Sequence, residues 1–151
     1  MKENKQKTGL KARADGYRAE DRAVLFLRLK GYRILERNFK PPRGSGAGEI
    51  DIIAYKNKTL VFIEVKYRIS QDIAAEAVSV PVRTRRIKGA EYFISTHPEY
   101  ADSDMRFDAV LMAPNTLPKH IQNAWETIWT AYEGELQRIV KRIAGVKKRA
   151  F

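Results

Sequence analysis

The sequence contains no cysteine. Disulfide staples and thiolate metal sites are excluded, so burial of apolar surface and polar pairing have to hold the fold. Only two histidines are present, His97 and His120. Neither has a second ligand at metal-binding spacing, so both read as turn or loop residues and a histidine-built zinc centre is not expected. No apolar run approaches the ~20 residues that span a bilayer, and residues 1–15 lack the apolar core of a signal peptide. A cytoplasmic location is the expectation. Acidic charge is scarce too: 18 Asp and Glu stand against 29 Lys and Arg, for a net charge of +11. The excess sits mainly at the ends, with +4 on residues 1–14, +4 on residues 133–151 and +3 on the body between them. Basic ends of this kind bind polyanions by counterion release, with little sequence preference; solubility alone explains such charge about as well.

The chain is organised around residues 48–68. Gly48-Glu49-Ile50-Asp51-Ile52-Ile53-Ala54-Tyr55 and Leu60-Val61-Phe62-Ile63-Glu64-Val65-Lys66-Tyr67-Arg68 are rich in β-branched and aromatic residues and flank a polar break, the pattern of a β-hairpin. A loop of Asn57-Lys58, or of the whole of 56–59, sets residue i opposite residue 115 − i. Asp51 then faces Glu64 and Glu49 faces Lys66. Period-two alternation puts these four on one face and Ile50, Ile52, Ile63 and Val65 on the other.

Directly opposed carboxylates, with Cβ atoms about 5 Å apart, repel one another. Lys66 supplies one compensating charge and a divalent cation is the natural second, since Mg²⁺ takes one or two carboxylates together with water and phosphate oxygens. Acids, metal and lysine in one place can activate water and stabilise charge on a phosphate. The plainer alternative is an amphipathic hairpin with a solvated polar face.

These residues carry a resemblance. Gly-Glu-Ile-Asp-Ile-Ile-Ala followed by Val-Phe-Ile-Glu-Val-Lys-Tyr-Arg resembles the signature of the bacterial YraN-like family of small uncharacterised proteins. That family is in turn similar to the PD-(D/E)xK nucleases, which include Holliday junction resolvases and restriction endonucleases. The likeness runs from about Tyr17 to Trp125 and takes in Arg106-Phe107-Asp108 and Gln122-Asn123-Ala124. Ile50 stands where the usual proline precedes the first acid. The resemblance implies that Asp51 and Glu64 bind Mg²⁺ or Mn²⁺, that Lys66 serves the attacking water and the phosphate, and that Glu20, matching a first-helix glutamate, helps complete the metal site. It further implies a restriction-endonuclease-like α/β fold, a mixed central sheet flanked by helices.

Taken in order, residues 1–14 read as a disordered basic tail, almost without large apolar residues. Asp15 can cap a helix that runs to about Lys30, with Gly31 as its stop. Ala23, Val24 and Leu27 form its apolar stripe, and Glu20 lies on or beside that stripe. A carboxylate there needs a cationic partner, which an arginine or a metal would satisfy equally well. Tyr32–Phe39 reads as a strand and Lys40–Ala47 as a Gly- and Pro-bearing surface loop. The stretch Ser70–Ser79 is ambiguous between helix and extended chain. Pro81 starts a helix to about Ser95, with Ile87, Ala90 and Ile94 inward. Arg83, Arg85, Arg86 and Lys88 crowd the N-terminal half, where the macrodipole disfavours positive charge, so phosphate contact is a better account of them than helix stability, with a solvated basic face as the plainer alternative. Arg68 at the hairpin end and Lys147, Lys148 and Arg149 near the C-terminus complete the candidate nucleic-acid contacts.

Met105–Met112 reads as a strand whose apolar neighbours make Asp108 structural or capping in role. A short strand is expected over 119–125. Trp125, Trp129 and Tyr132 have the spacing of core aromatics more than of base-stacking ones. Residues 127–151 read as a basic amphipathic C-terminal helix following a 15–126 domain. That helix would pack on the domain, in a partner groove, on a second protomer or, least favoured, on an anionic membrane surface.

The sequence therefore leads to the expectation of a metal-dependent endonuclease acting on DNA, with Asp51, Glu64 and Lys66 as its centre and Glu20 and Glu49 as second-rank acids. The alternatives are a nucleic-acid-binding module of the same fold with little or no turnover, and an interaction protein whose acid cluster is structural.

Overall fold

A computed structural model of the protein describes residues 18–70 and 80–124. The expected basic tail, the Asp15 cap, Trp125, Trp129, Tyr132 and the C-terminal helix with Lys147, Lys148 and Arg149 lie outside the described residues.

The hairpin is the centre of the sheet. Strands β2 (Ile50–Lys56) and β3 (Thr59–Tyr67) pair antiparallel from Lys56↔Thr59 to Ile52↔Ile63, the register expected from sequence. The turn is the two-residue form: Asn57 and Lys58 have φ of 50° and 61°, as a hairpin turn matched to strand twist requires. Strand β1 (Arg33–Phe39) pairs antiparallel with β2, β4 (Asp104–Met112) runs parallel to β3, and β5 (Lys119–Ile121) closes the far edge antiparallel to β4. The order β1-β2-β3-β4-β5 makes β3 the central strand. The fifth strand is shorter than the 119–125 expected, because the chain turns over residues 122–124.

Each face carries one described helix. Helix α1, described over residues 18–29, packs Ala19, Ala23, Val24 and Leu27 against Ile52, Ala54, Val61, Ile63 and Val110. It ends in a Schellman motif: Tyr32 N–H donates to Leu27 O at 3.0 Å and Gly31 N–H to Arg28 O at 2.9 Å, with Gly31 at φ +89°, a conformation that glycine adopts without strain. Parallel pairing of β3 and β4 needs a crossover, which helix α2 (Val80–Thr96) supplies. It packs Ile87, Ala90, Phe93 and Ile94 against Ile53, Leu60, Phe62 and Phe107.

Ile50 departs from the expected alternation. It packs on the α2 side with Ile53, whereas Ile52 and Ile63 face α1. Regular pairing with β3 stops at Ile52↔Ile63, and beyond it the Asp51 side chain takes the Val65 N–H at 2.8 Å. A side chain in the place of a ladder partner frees the strand to reorient at its start.

The start of β2 and α2 meet backbone to backbone. Gly48 N–H donates to Arg85 O at 2.7 Å, and a Cβ at Gly89 would stand 2.5 Å from Gly48 O. Alanine at position 89 improves helix propensity by ~1 kcal/mol. The obstructing atom is a backbone oxygen on a residue already tied to α2, so it cannot swing aside, and overpacking of this kind costs ~1–3 kcal/mol. Gly89→Ala is expected to be destabilising overall, with a midpoint shift in urea unfolding and an unchanged slope; equal or greater stability would show that this contact is looser than the structure has it.

Candidate active site

Glu64 lies in the central strand with 0% of its surface exposed. Leu60 and Phe62 of the same strand face α2, so period two turns Glu64 and Lys66 to that side. Asp51 shares it with Ile53 on β2. The two acids and the lysine therefore project from one face of adjacent antiparallel strands, as the register requires.

A buried carboxylate without a counter-charge costs several kcal/mol. Two cations meet this one: Lys66 Nζ lies 2.8 Å from Glu64 Oε1, and Arg86 Nη2 reaches the same oxygen from α2 at 3.0 Å. Both are close charge contacts off the hydrogen-bond angle. Among the described residues neither Glu64 oxygen has a hydrogen-bond partner, and neither do Nε and Nη1 of Arg86, all of them buried.

Asp51 completes the pair. Burial raises its pKa from the ordinary 3.8 to about 6. The Val65 N–H and the Arg86 charge pull it down, and the charges of Glu64 and Glu20 push it up. Glu20, partly buried on α1, thus acts on Asp51 through its field. Among the described residues no group of three or more His, Cys, Asp or Glu gathers tightly enough to hold a metal ion, so Glu20 is not drawn into a three-acid cluster. The donor set that fits a hard cation is the pair Asp51 and Glu64 with its buried, unbonded Oε2, and one or two carboxylates suffice for Mg²⁺ when water and phosphate supply the rest.

Glu49 does not take the place expected of it. It precedes β2, is exposed and lies beyond the last β2–β3 pair, because the ladder ends before the register can set it against Lys66. It lines instead a cavity of about 210 Å³ with Gly48, Arg85 and Arg86. A second cavity, of about 630 Å³, is bounded by the 40–47 loop with Lys40 and Arg43, by Glu49 and by Arg85. Of the remaining basic candidates, Arg85 and Lys88 are exposed on α2, and Arg68 is exposed with its guanidinium donating to Tyr67 O at 2.7 Å. Arg83 is in the first turn of α2, its side chain outside the described set.

The opposite face holds a second polar cluster that sequence reasoning reached only in part. Asp108 is fully buried and fully paired: Arg106 grips it with Nε to Oδ1 at 2.7 Å and Nη2 to Oδ2 at 2.9 Å, His120 Nε2 lies 2.7 Å from Oδ2, and Asn123 N–H donates to Oδ1 at 2.9 Å. Although burial opposes ionisation, these bonds bring its pKa below the ordinary carboxylate value. The structural role read for Asp108 holds. His120 is not the bland loop residue expected: its side chain is 2% exposed and bridges Asp108 to Lys30 Nζ at 2.6 Å. Lysine is donor only, so Nδ1 accepts and Nε2 carries the proton to Asp108. The only available signal was that a buried Asp108 must have partners.

A five-stranded mixed sheet with a helix on each face, carrying two acids and a lysine on neighbouring strands, is an α/β architecture consistent with the restriction-endonuclease-like class. The chain belongs to the uncharacterised protein family UPF0102, whose model matches residues 19–112. It is 45% identical over 119 residues to a UPF0102 protein of Parvibaculum lavamentivorans, covering 78% of this chain and 86% of that one. It is 46% identical over 114 residues to one of Paramagnetospirillum magneticum, covering 76% and 88%. With a UPF0102 protein of Rhodopseudomonas palustris it shares 47% identity over 111 residues, covering 74% and 82%. The resemblance to a family of small uncharacterised proteins is borne out. Among the described residues no helix is long and apolar enough to cross a membrane.

Because Asp51 binds its proton more tightly in the folded protein, its contribution to stability is fully present below pH 3.8 and is lost as the pH rises through about 6. At ~1.4 kcal/mol per pKa unit, the loss is on the order of 3 kcal/mol. Asp51→Asn keeps an oxygen for the Val65 N–H and removes the titration. Without metal, the variant is expected to be more stable than wild type above pH 7 and to show a flatter profile between pH 4 and 6 in urea unfolding. A wild-type profile already flat over that window would contradict the burial of Asp51.

Proposed function

We propose that the protein is a metal-dependent phosphodiesterase that cleaves DNA as an endonuclease. The observation that carries this reading is the placement of Asp51 and Glu64 on one face of adjacent strands, with Glu64 Oε2 buried and without a hydrogen-bond partner and Lys66 2.8 Å from the other oxygen. Asp51 and Glu64 would hold Mg²⁺ or Mn²⁺, which when bound supplies Lewis acidity toward water and a phosphoryl oxygen. Lys66 offsets the charge of Glu64 and offers a cation to the negative charge that develops on phosphate. Arg85 and Arg86 border one cavity, and Lys40 and Arg43 of the neighbouring loop border a second with Arg85; Arg86 links the first to Glu64, and these cations suit a polyanionic backbone. The basic ends add non-specific affinity. Family membership names no activity, and fold likeness alone licenses none; the acids and lysine support the assignment.

A second reading has its own observation. Glu64 already has two cationic neighbours, Lys66 and Arg86, as it would in a nucleic-acid-binding module that keeps the fold without turnover.

Nicking of branched and linear DNA with Mg²⁺ or Mn²⁺, run beside metal titration, distinguishes them. Wild type is expected to nick. Lys66→Ala should bind metal nearly as well and lose ~10²–10³ in rate. Asp51→Asn should lose both metal affinity and cleavage, because an amide brings no charge to the ion. Metal binding without cleavage of any substrate would favour the binding module. Cleavage undiminished in Lys66→Ala would remove the role given to that lysine.

A further inference from the structure

Asp108 and Glu64, the two fully buried acids among the described residues, are neutralised in opposite ways. Asp108 has an arginine in the two-pronged geometry that guanidinium and carboxylate favour. Glu64 has Arg86 by one nitrogen, off the hydrogen-bond angle, with Nε and Nη1 of the arginine and Oε2 of the acid left buried and unbonded. Each such atom bears a desolvation penalty that a permanent pair would have removed. Arg86 also has somewhere to go, since it borders the cavity of about 210 Å³ with Gly48, Glu49 and Arg85.

We propose that Arg86 is a built-in substitute for the divalent ion, so that guanidinium and ion are alternative counter-cations of Glu64, and that the displaced guanidinium turns into the adjacent cavity to take a phosphodiester oxygen. The inference rests on the metal site of the preceding section. A doubly charged ion at Glu64 Oε2 and a guanidinium on Oε1 repel at short range, and Glu64 does not need both while Lys66 remains. Vacating Glu64 releases Nη2 and lets the two unbonded nitrogens, Nε and Nη1, find an anion, the ligand guanidinium grips best. Ion and phosphate then bind cooperatively, because the ion releases the group that the phosphate requires.

The test is Mn²⁺ titration of the full chain by calorimetry, for wild type, Arg86→Gln, Arg86→Lys and Arg85→Gln, with melting curves to establish folding. Removal of the competing charge is expected to tighten Mn²⁺ binding about tenfold or more in Arg86→Gln. The shorter, single-point cation of Arg86→Lys should give a smaller tightening, and it serves as the informative variant if Arg86→Gln does not fold. Arg85→Gln removes the same charge one residue away and should change the affinity by less than about threefold, since exposed charges are screened. In a second arm, Mn²⁺ should raise the affinity of wild type for a labelled DNA oligonucleotide and fail to do so in Arg86→Gln. Equal or weaker Mn²⁺ binding by the folded Arg86 variants overturns this inference and leaves the metal site standing. No Mn²⁺ binding by wild type or any variant overturns both.

Discussion

A carboxylate on the central strand of a sheet covered on both faces is the constraint on which this structure turns. Glu64 has apolar neighbours Phe62, Ile63 and Val65 in its own strand and 0% exposure, so water cannot solvate it. Its charge has to be met by side chains, and the sheet geometry allows few to reach. Lys66 does so from two residues along the same strand, and Arg86 does so from the helix that must cross that face to make β4 parallel to β3. Neither contact is well aligned, and both oxygens of Glu64 are left buried without a hydrogen-bond partner among the described residues.

The position of that helix is set by glycines. Gly48 and Gly89 let the start of β2 and the middle of α2 approach to backbone contact, and Gly48 ties itself to Arg85 O. The next residue, Arg86, is thereby held over Glu64, with the cavity that Gly48 also lines beside it. Packing that reads as fold maintenance thus determines the electrostatics of the candidate site.

The Asp108 cluster shows what the same chemistry looks like when it is satisfied. Arg106, His120 and Asn123 fill its hydrogen-bonding capacity, and Tyr32 OH accepts from Arg106 Nη2 at 2.8 Å. These bonds tie β4 to β5, to the turn after β5 and to the end of α1. Removing a partner from such a network costs ~3–5 kcal/mol, which suits a fixed anchor and does not suit a group that must release its partner to bind a ligand.

Much of this was legible in the chain alone because it depends on short-range periodicity. Alternation and an even-length turn determined that Asp51, Glu64 and Lys66 share a face, and the apolar stripe of Ala23, Val24 and Leu27 with Gly31 behind it determined the buried side and the end of α1. Composition excluded disulfides, and the hairpin signature led to the family. What depends on contacts between distant segments was left to the tertiary structure. Ile50 changed sides because the Asp51 side chain displaced a ladder bond, and Glu49 lost its place opposite Lys66 for the same reason. His120 became a buried bridge because the β4–β5 pairing brought it to a lysine 90 residues away. Arg86, one of four similar cations in sequence, was singled out because the close approach of two glycines placed it over Glu64, and no local pattern encodes which of several arginines a helix will turn toward a buried acid.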